Sequence, residues 1–135
     1  MKQRQLDSRA EIGWLVRTFY TKVRKDDLIG PIFNKQINNW EHHLERLTDF
    51  WETNLTFTQK YKGNPVQKHI EVDQKSRAEI TQVHFGRWLQ LWFETINDNF
   101  SGDKAEAAKN RARNMSTHFF LKMYMSRPAN STEKI

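Results

Sequence analysis

A chain of 135 residues with 37% apolar content and a mean hydropathy of -0.87 suits one domain with a substantial core, and no apolar run approaches the ~20 residues that span a bilayer. Cysteine is absent, which excludes disulfides, zinc–thiolate sites, iron–sulfur clusters and thioether-attached cofactors, and fits a reducing cytoplasm. The 22 basic and 16 acidic residues leave a net +6, yet the basic residues are dispersed, so neither nucleic-acid binding nor membrane association is expected.

The charged start, Met1 to Asp7, has no hydrophobic segment behind it, so no secretory signal is expected. Ser8 and Glu11 form an S-x-x-E capping box, and Ile12, Val16, Phe19, Tyr20 and Val23 then trace one helical stripe. Gly30-Pro31 breaks that pattern and predicts a short apolar loop or single turn over Ile32-Phe33-Asn34. Asn38 or Asn39 caps the next helix, whose stripe is Trp40, Leu44, Leu47, Trp51 and Leu55. On that helix His43 falls beside Leu47 and Phe50, at the flank of the stripe, while His42 falls nearly opposite Trp51 and faces solvent.

From Thr56 to Pro65 the chain is polar and irregular. His69 follows within one short helical turn, ahead of a charged stretch from Glu71 to Glu79. A strong helix resumes around Thr81, with Phe85, Trp88, Leu89, Trp92, Phe93, Ile96 and Phe100 on one wide face. Ser101-Gly102-Asp103 makes a turn and a helix start, and Ala108, Ala112, Met115, Phe119 and Met123 form the final stripe. No alternating strand pattern competes. The prediction is an all-α domain over residues 1–125 with four substantial helices, followed by a loose tail over residues 126–135.

Most chemistries lack their residues. His42, His43, His69, His84 and His118 are scattered, with no H-x-x-x-H or H-E-x-x-H spacing for zinc. Neither a nucleophile elbow nor a glycine-rich phosphate loop occurs. What remains is His43 and His69 in a chain whose aromatic share is 13%, with five Trp and nine Phe. One neutral imidazole to bind iron, apolar walls and a few polar tips are what a flat iron macrocycle requires. Trp14, Trp51, Trp92 and Phe119 each read first as plain core. Trp88 and Tyr20 differ, because each carries a polar handle that needs a partner when buried. If Tyr20, His43 and Trp88 converge, they bring an O–H and two N–H groups to one small volume, which a bare apolar core has no use for.

The segments Phe19-Tyr20 with Lys22-Val23-Arg24, Gly30-Pro31-Ile32-Phe33-Asn34, Trp40 with His43, Phe50-Trp51, Tyr61-x-Gly63-x-Pro65 with His69, and His84-Phe85-x-x-Trp88-Leu89, followed by an alanine-rich last helix, occur in one order along the chain. Together they resemble the truncated haemoglobins, and within them the third group, over roughly Glu11 to Met123. The resemblance implies a two-over-two helical sandwich holding non-covalent haem b. It implies His69 as the proximal iron ligand and Tyr20, His43 and Trp88 as distal polar residues. Phe33 is similar to the aromatic that wedges against the ring; Phe19, Phe50, Trp51 and Phe85 are similar to pocket walls. Lys68 would pair with a propionate. The interval from His69 to Trp88 is longer than the family's usual spacing, lacks its Leu-Pro element and is charged. His84 is therefore the alternative iron ligand.

Such a pocket implies reversible binding of dioxygen, nitric oxide or carbon monoxide at ferrous iron by a cytoplasmic monomer. With this many donors the expectation favours chemistry or sensing over bulk oxygen transport. Nitric oxide oxidation and peroxide turnover are the natural reactions, each needing electrons from a reductase. His43 could also bind the iron itself when no external ligand is present. The reading from another class is a haem-free helical interaction module whose basic surface meets an acidic partner.

Overall fold

The computed structural model describes residues 4–56, 64–75 and 80–126, and among these it contains six helices: α1 (Arg9–Lys25), α2 (Gly30–Gln36), α3 (Trp40–Thr56), α4 (Pro65–Lys75), α5 (Gln82–Asn99) and α6 (Asp103–Met125). Tyr61, Gly63, Glu79 and the expected tail beyond Ser126 lie outside the described residues. No strand occurs among the described residues beyond an isolated bridge between Arg4 and Phe100, so the all-α expectation holds.

Ser8 caps α1, its hydroxyl accepting from the Glu11 N–H at 3.3 Å. The reciprocal half of the expected box is missing: the Glu11 carboxylate is held by Arg4 at 2.8 Å. A guanidinium is the stronger partner, because both groups are charged and the contact is a fork. Ile12, Leu15, Val16, Phe19, Tyr20 and Val23 form the buried stripe.

Gly30-Pro31 begins a seven-residue helix where the sequence predicts a short apolar loop or single turn. Proline is accepted in the first turn, where its missing N–H has no intrahelical partner in any case. Gly30 is needed for closeness: a Cβ there would stand 2.9 Å from the Arg24 carbonyl oxygen. Asn39 caps α3 by accepting from the His42 N–H at 3.1 Å.

The single turn expected around His69 is an eleven-residue helix, α4. Asn64 accepts from the Gln67 N–H at 3.0 Å, Pro65 occupies the first helical position, and the charged residues that follow are good helix formers. Thr81 caps α5 in a full capping box, with His84 supplying the reciprocal acceptor. Gly102, at φ 99°, admits the tight turn into α6.

Helix α1 packs against α2, α3 and α5, while α6 packs against α3, α4 and α5. Two helix pairs, α1 with α3 and α5 with α6, thus lie across each other as a two-over-two sandwich. The small side chains of Ala105, Ala108 and Ala112 let α5 close on α6, near enough for the buried Trp92 indole to donate to the Ala108 carbonyl at 3.1 Å. Outside the core, Arg9 joins α1 to Glu45, Asp49 and Glu52 of α3, and Arg17 reaches Glu41. No described helix is long and apolar enough to cross a membrane.

Candidate functional site

Two groups of rings lie along α5, one at Trp88 and one at Phe85. The first is built around Tyr20. The Trp88 indole N–H donates to the Tyr20 hydroxyl oxygen at 3.4 Å. Phe19 packs edge-on against both rings, at 4.7 Å from Tyr20 and 5.3 Å from Trp88. Phe33 of α2 stands 5.7 Å from the Tyr20 ring and His43 of α3 stands 6.2 Å from it. Tyr20, His43 and Trp88 are therefore brought together from three helices. The N–H of Trp88 is directed at Tyr20, which leaves the phenol's own O–H free to donate elsewhere. An N–H received at the oxygen polarises that O–H and strengthens it as a donor.

Neither titratable member of this group is charged near neutral pH. Burial pushes the Tyr20 phenol up to about 12, against a small opposing effect of the Trp88 hydrogen bond. Burial pulls the His43 imidazole down to about 4, helped by the nearby Arg46 and His42. His42 is exposed, as its place on the helix requires.

Behind Trp88 the aromatic density continues. Trp88 lies parallel to Trp92 at 5.8 Å, and Trp92 stacks on Trp51 at 4.6 Å. Phe50 meets Trp51 at 5.4 Å and is half-buried, whereas Trp51 and Trp92 are buried.

The second group is built around His69. Its ring stacks on Phe119 of α6 at 4.6 Å and on Phe85 of α5 at 6.1 Å. Its Nδ1 lies 2.6 Å from the Pro65 carbonyl oxygen. A carbonyl can only accept, so Nδ1 carries the proton and Nε2 keeps its lone pair. Burial holds this imidazole below its ordinary range, with the Pro65 hydrogen bond opposing. The outcome is a neutral ring fixed in one tautomer.

Phe85 and Trp88 are three residues apart on one face of α5, so the same helix wall serves His69 at one turn and Tyr20 at the next. His84 is placed differently: its Nδ1 accepts from the Thr81 N–H at 2.9 Å and so belongs to the helix cap. Lys68 is exposed on α4. Among the described residues, no group of three or more His, Asp or Glu side chains is placed to hold a metal ion. A metal at His69 would need its other donors from a bound macrocycle.

Two residues of this site carry no role in the sequence reading. Phe119 reads there as core, and Trp40 reads as part of a stripe. Trp40 in fact stands 6.0 Å from Tyr20 and 5.7 Å from His43, with the Arg24 guanidinium 4.4 Å over its ring. Position on a helical stripe cannot separate a ring that lines a pocket from one that fills a core. The Pro65 carbonyl, by contrast, was findable, because it lies four residues before His69 in the same helix.

No family model matches the chain. The group 3 truncated haemoglobin of Campylobacter jejuni is 32% identical over 117 residues, covering 84% of this chain and 88% of that protein. The crystal structure of the group III truncated haemoglobin from Campylobacter jejuni is similar at a TM-score of 0.81 and 28% identity, over 94% of this chain and 99% of the other.

Proposed function

The chain belongs to the group 3 truncated haemoglobins, and on that premise we propose that it holds haem b non-covalently through His69 and takes a diatomic ligand beside Tyr20, His43 and Trp88. The observation that carries this reading is the hydrogen bond from His69 Nδ1 to the Pro65 carbonyl at 2.6 Å. A metal-ligating histidine characteristically donates its other ring N–H to a carbonyl or carboxylate, which fixes the ring and raises the basicity of the ligating nitrogen. His69 has that arrangement, with Nε2 available and Phe85 and Phe119 stacked on its ring.

The residues present fit a haem. A lone imidazole is sufficient where a macrocycle supplies four further nitrogen donors, and the aromatic walls suit a flat apolar ring. Without cysteine, thioether attachment is impossible. When bound, the haem would supply ferrous iron able to take dioxygen, nitric oxide or carbon monoxide. Tyr20 would donate its O–H to such a ligand, and Trp88 would hold the Tyr20 oxygen in place. His43, neutral, would offer a further polar edge or its own lone pair to the metal. Phe19, Phe33, Phe50 and Trp51 would form the walls, and Lys68 could meet a propionate at the surface.

A site that retains a polar ligand through several donors suits reaction on that ligand better than bulk transport. We propose nitric oxide oxidation to nitrate or reduction of peroxide, with electrons from a reductase, in a cytoplasmic monomer. The test is the absorption spectrum after haem reconstitution, for the wild type and His69→Gly, in ferric, ferrous and carbon monoxide forms. The proposal expects stoichiometric uptake with a histidine-ligated ferrous spectrum that is lost or altered in the variant. No specific uptake would leave a helical interaction module. An unaltered variant would move the ligand elsewhere, to His84 first.

A further inference from the structure

Asp26 caps the end of α1 and its side chain is only 6% exposed. One carboxylate oxygen accepts from the backbone N–H groups of Leu28 and Ile29, at 3.0 and 3.1 Å, and so folds the turn into α2. The other accepts from Arg87 Nε at 2.6 Å, across 61 positions of sequence. The surrounding turn is tight. The Gly30 N–H donates to the Asp26 carbonyl at 2.9 Å, and the Asn34 side chain donates to the Arg24 carbonyl at 3.1 Å. Burial alone would raise the Asp26 carboxyl, but hydrogen bonds from Ile29, Arg87 and Leu28 and the Arg87 charge leave it below its ordinary value.

What this pair connects is specific. The Arg9 and Arg17 bridges tie α1 to α3, whereas Asp26 ties the end of α1 to α5. Arg87 immediately precedes Trp88, whose bond to Tyr20 is 3.4 Å, already beyond the usual N–H···O range. A few tenths of an ångström of slippage between α1 and α5 would break it. The same Asp26 turn also starts α2, which carries Phe33 against Tyr20.

We infer that Asp26 and Arg87 are a positioning pair for ligand retention: by fixing α5 against the end of α1, they keep Trp88 on the Tyr20 oxygen and the Tyr20 O–H directed to a polar ligand. This rests on the distal role given to Tyr20 and Trp88 above. The pair touches no ligand itself. Its effect passes through Trp88, and that makes it separable from a general loss of stability.

The test has two readouts. In the haem-free protein, the indole N–H resonance of Trp88 should shift away from its hydrogen-bonded position in Arg87→Leu and in Asp26→Asn. Arg87→Lys, which keeps the charge but not the planar fork, should give an intermediate shift and serves if Arg87→Leu does not fold. In haem-reconstituted protein, Arg87→Leu should raise dioxygen release about three- to tenfold in the wild type and leave it unchanged in a Trp88→Phe background, the non-additivity expected when one residue acts through another. Carbon monoxide release, less dependent on a hydrogen bond, should change less than dioxygen release. An unmoved resonance overturns the inference whatever dioxygen does, as does an equal rise in release in both backgrounds. If Trp88→Phe alone leaves dioxygen release unchanged while the resonance moves in Arg87→Leu, the distal reading fails instead.

Discussion

Tyr20 is buried on α1 beside the fully buried Phe19 and the buried aliphatic side chains of the same helix, whereas His69 stands on α4, none of whose described side chains is fully buried. Helix α1 is gripped by three neighbours, with arginine bridges to α3 and the Asp26 contact to α5; α4 packs principally on α6. Apolar burial scales with area removed from water, so the Tyr20 side contributes most of the domain's stability and α4 contributes little. The donor side is thus prearranged by packing. The His69 side is held by two stacked, half-buried phenylalanines, Phe85 and Phe119, and a backbone carbonyl.

The sharpest way to break that comparison is to remove one ring from each side. Trp92→Ala should cost ~3–5 kcal/mol in urea unfolding, as deletions of large buried rings do. Phe119→Ala, which removes a half-buried ring from the α4–α6 seam, should cost ~1–2 kcal/mol. Equal losses would show that the two sides are built alike. Next in size, the double change Tyr20→Phe with Trp88→Phe should raise the dioxygen off-rate at least tenfold by stopped flow, about 1.4 kcal/mol per tenfold. An unchanged rate would remove the distal role of these residues.

The smallest effect concerns pH. An unfolded histidine binds its proton near pH 6.5, while His43 in the fold does so only near 4. Between those values the unfolded state holds more protons, so stability falls as the pH drops from 6.5 towards 4. His69 is shifted in the same direction and adds to the slope. His43→Gln cannot titrate and should flatten the dependence of the urea midpoint on pH across that window. A parallel slope in the variant would place the titrating group elsewhere.

The four long helices are legible from their stripes, because burial of one face at a period of 3.6 leaves a direct trace in sequence. The two short ones are not. Gly30-Pro31 carries the signature of a break, and only the tertiary contact with the Arg24 carbonyl shows that the glycine is there for closeness and the proline as a helix start. Helix α4 offers no apolar stripe long enough to reveal it, and none of its described side chains is fully buried. The site follows the same division. Tyr20, His43 and Trp88 stand out because each is polar on an apolar face. Phe119 and Trp40 are chemically indistinguishable from the core rings beside them.

The alanine row of α6 sets how the seam can change over time. Trp92 fills the space that Ala108 leaves, and its indole N–H is bonded to that residue's carbonyl oxygen, a group every amino acid carries. The contact therefore fixes a summed volume, not two identities. Paired substitutions that shrink one side and enlarge the other keep the seam filled, while either one alone leaves a void or a clash. Such a seam accepts sequence drift two positions at a time while the crossing of α5 and α6 stays the same.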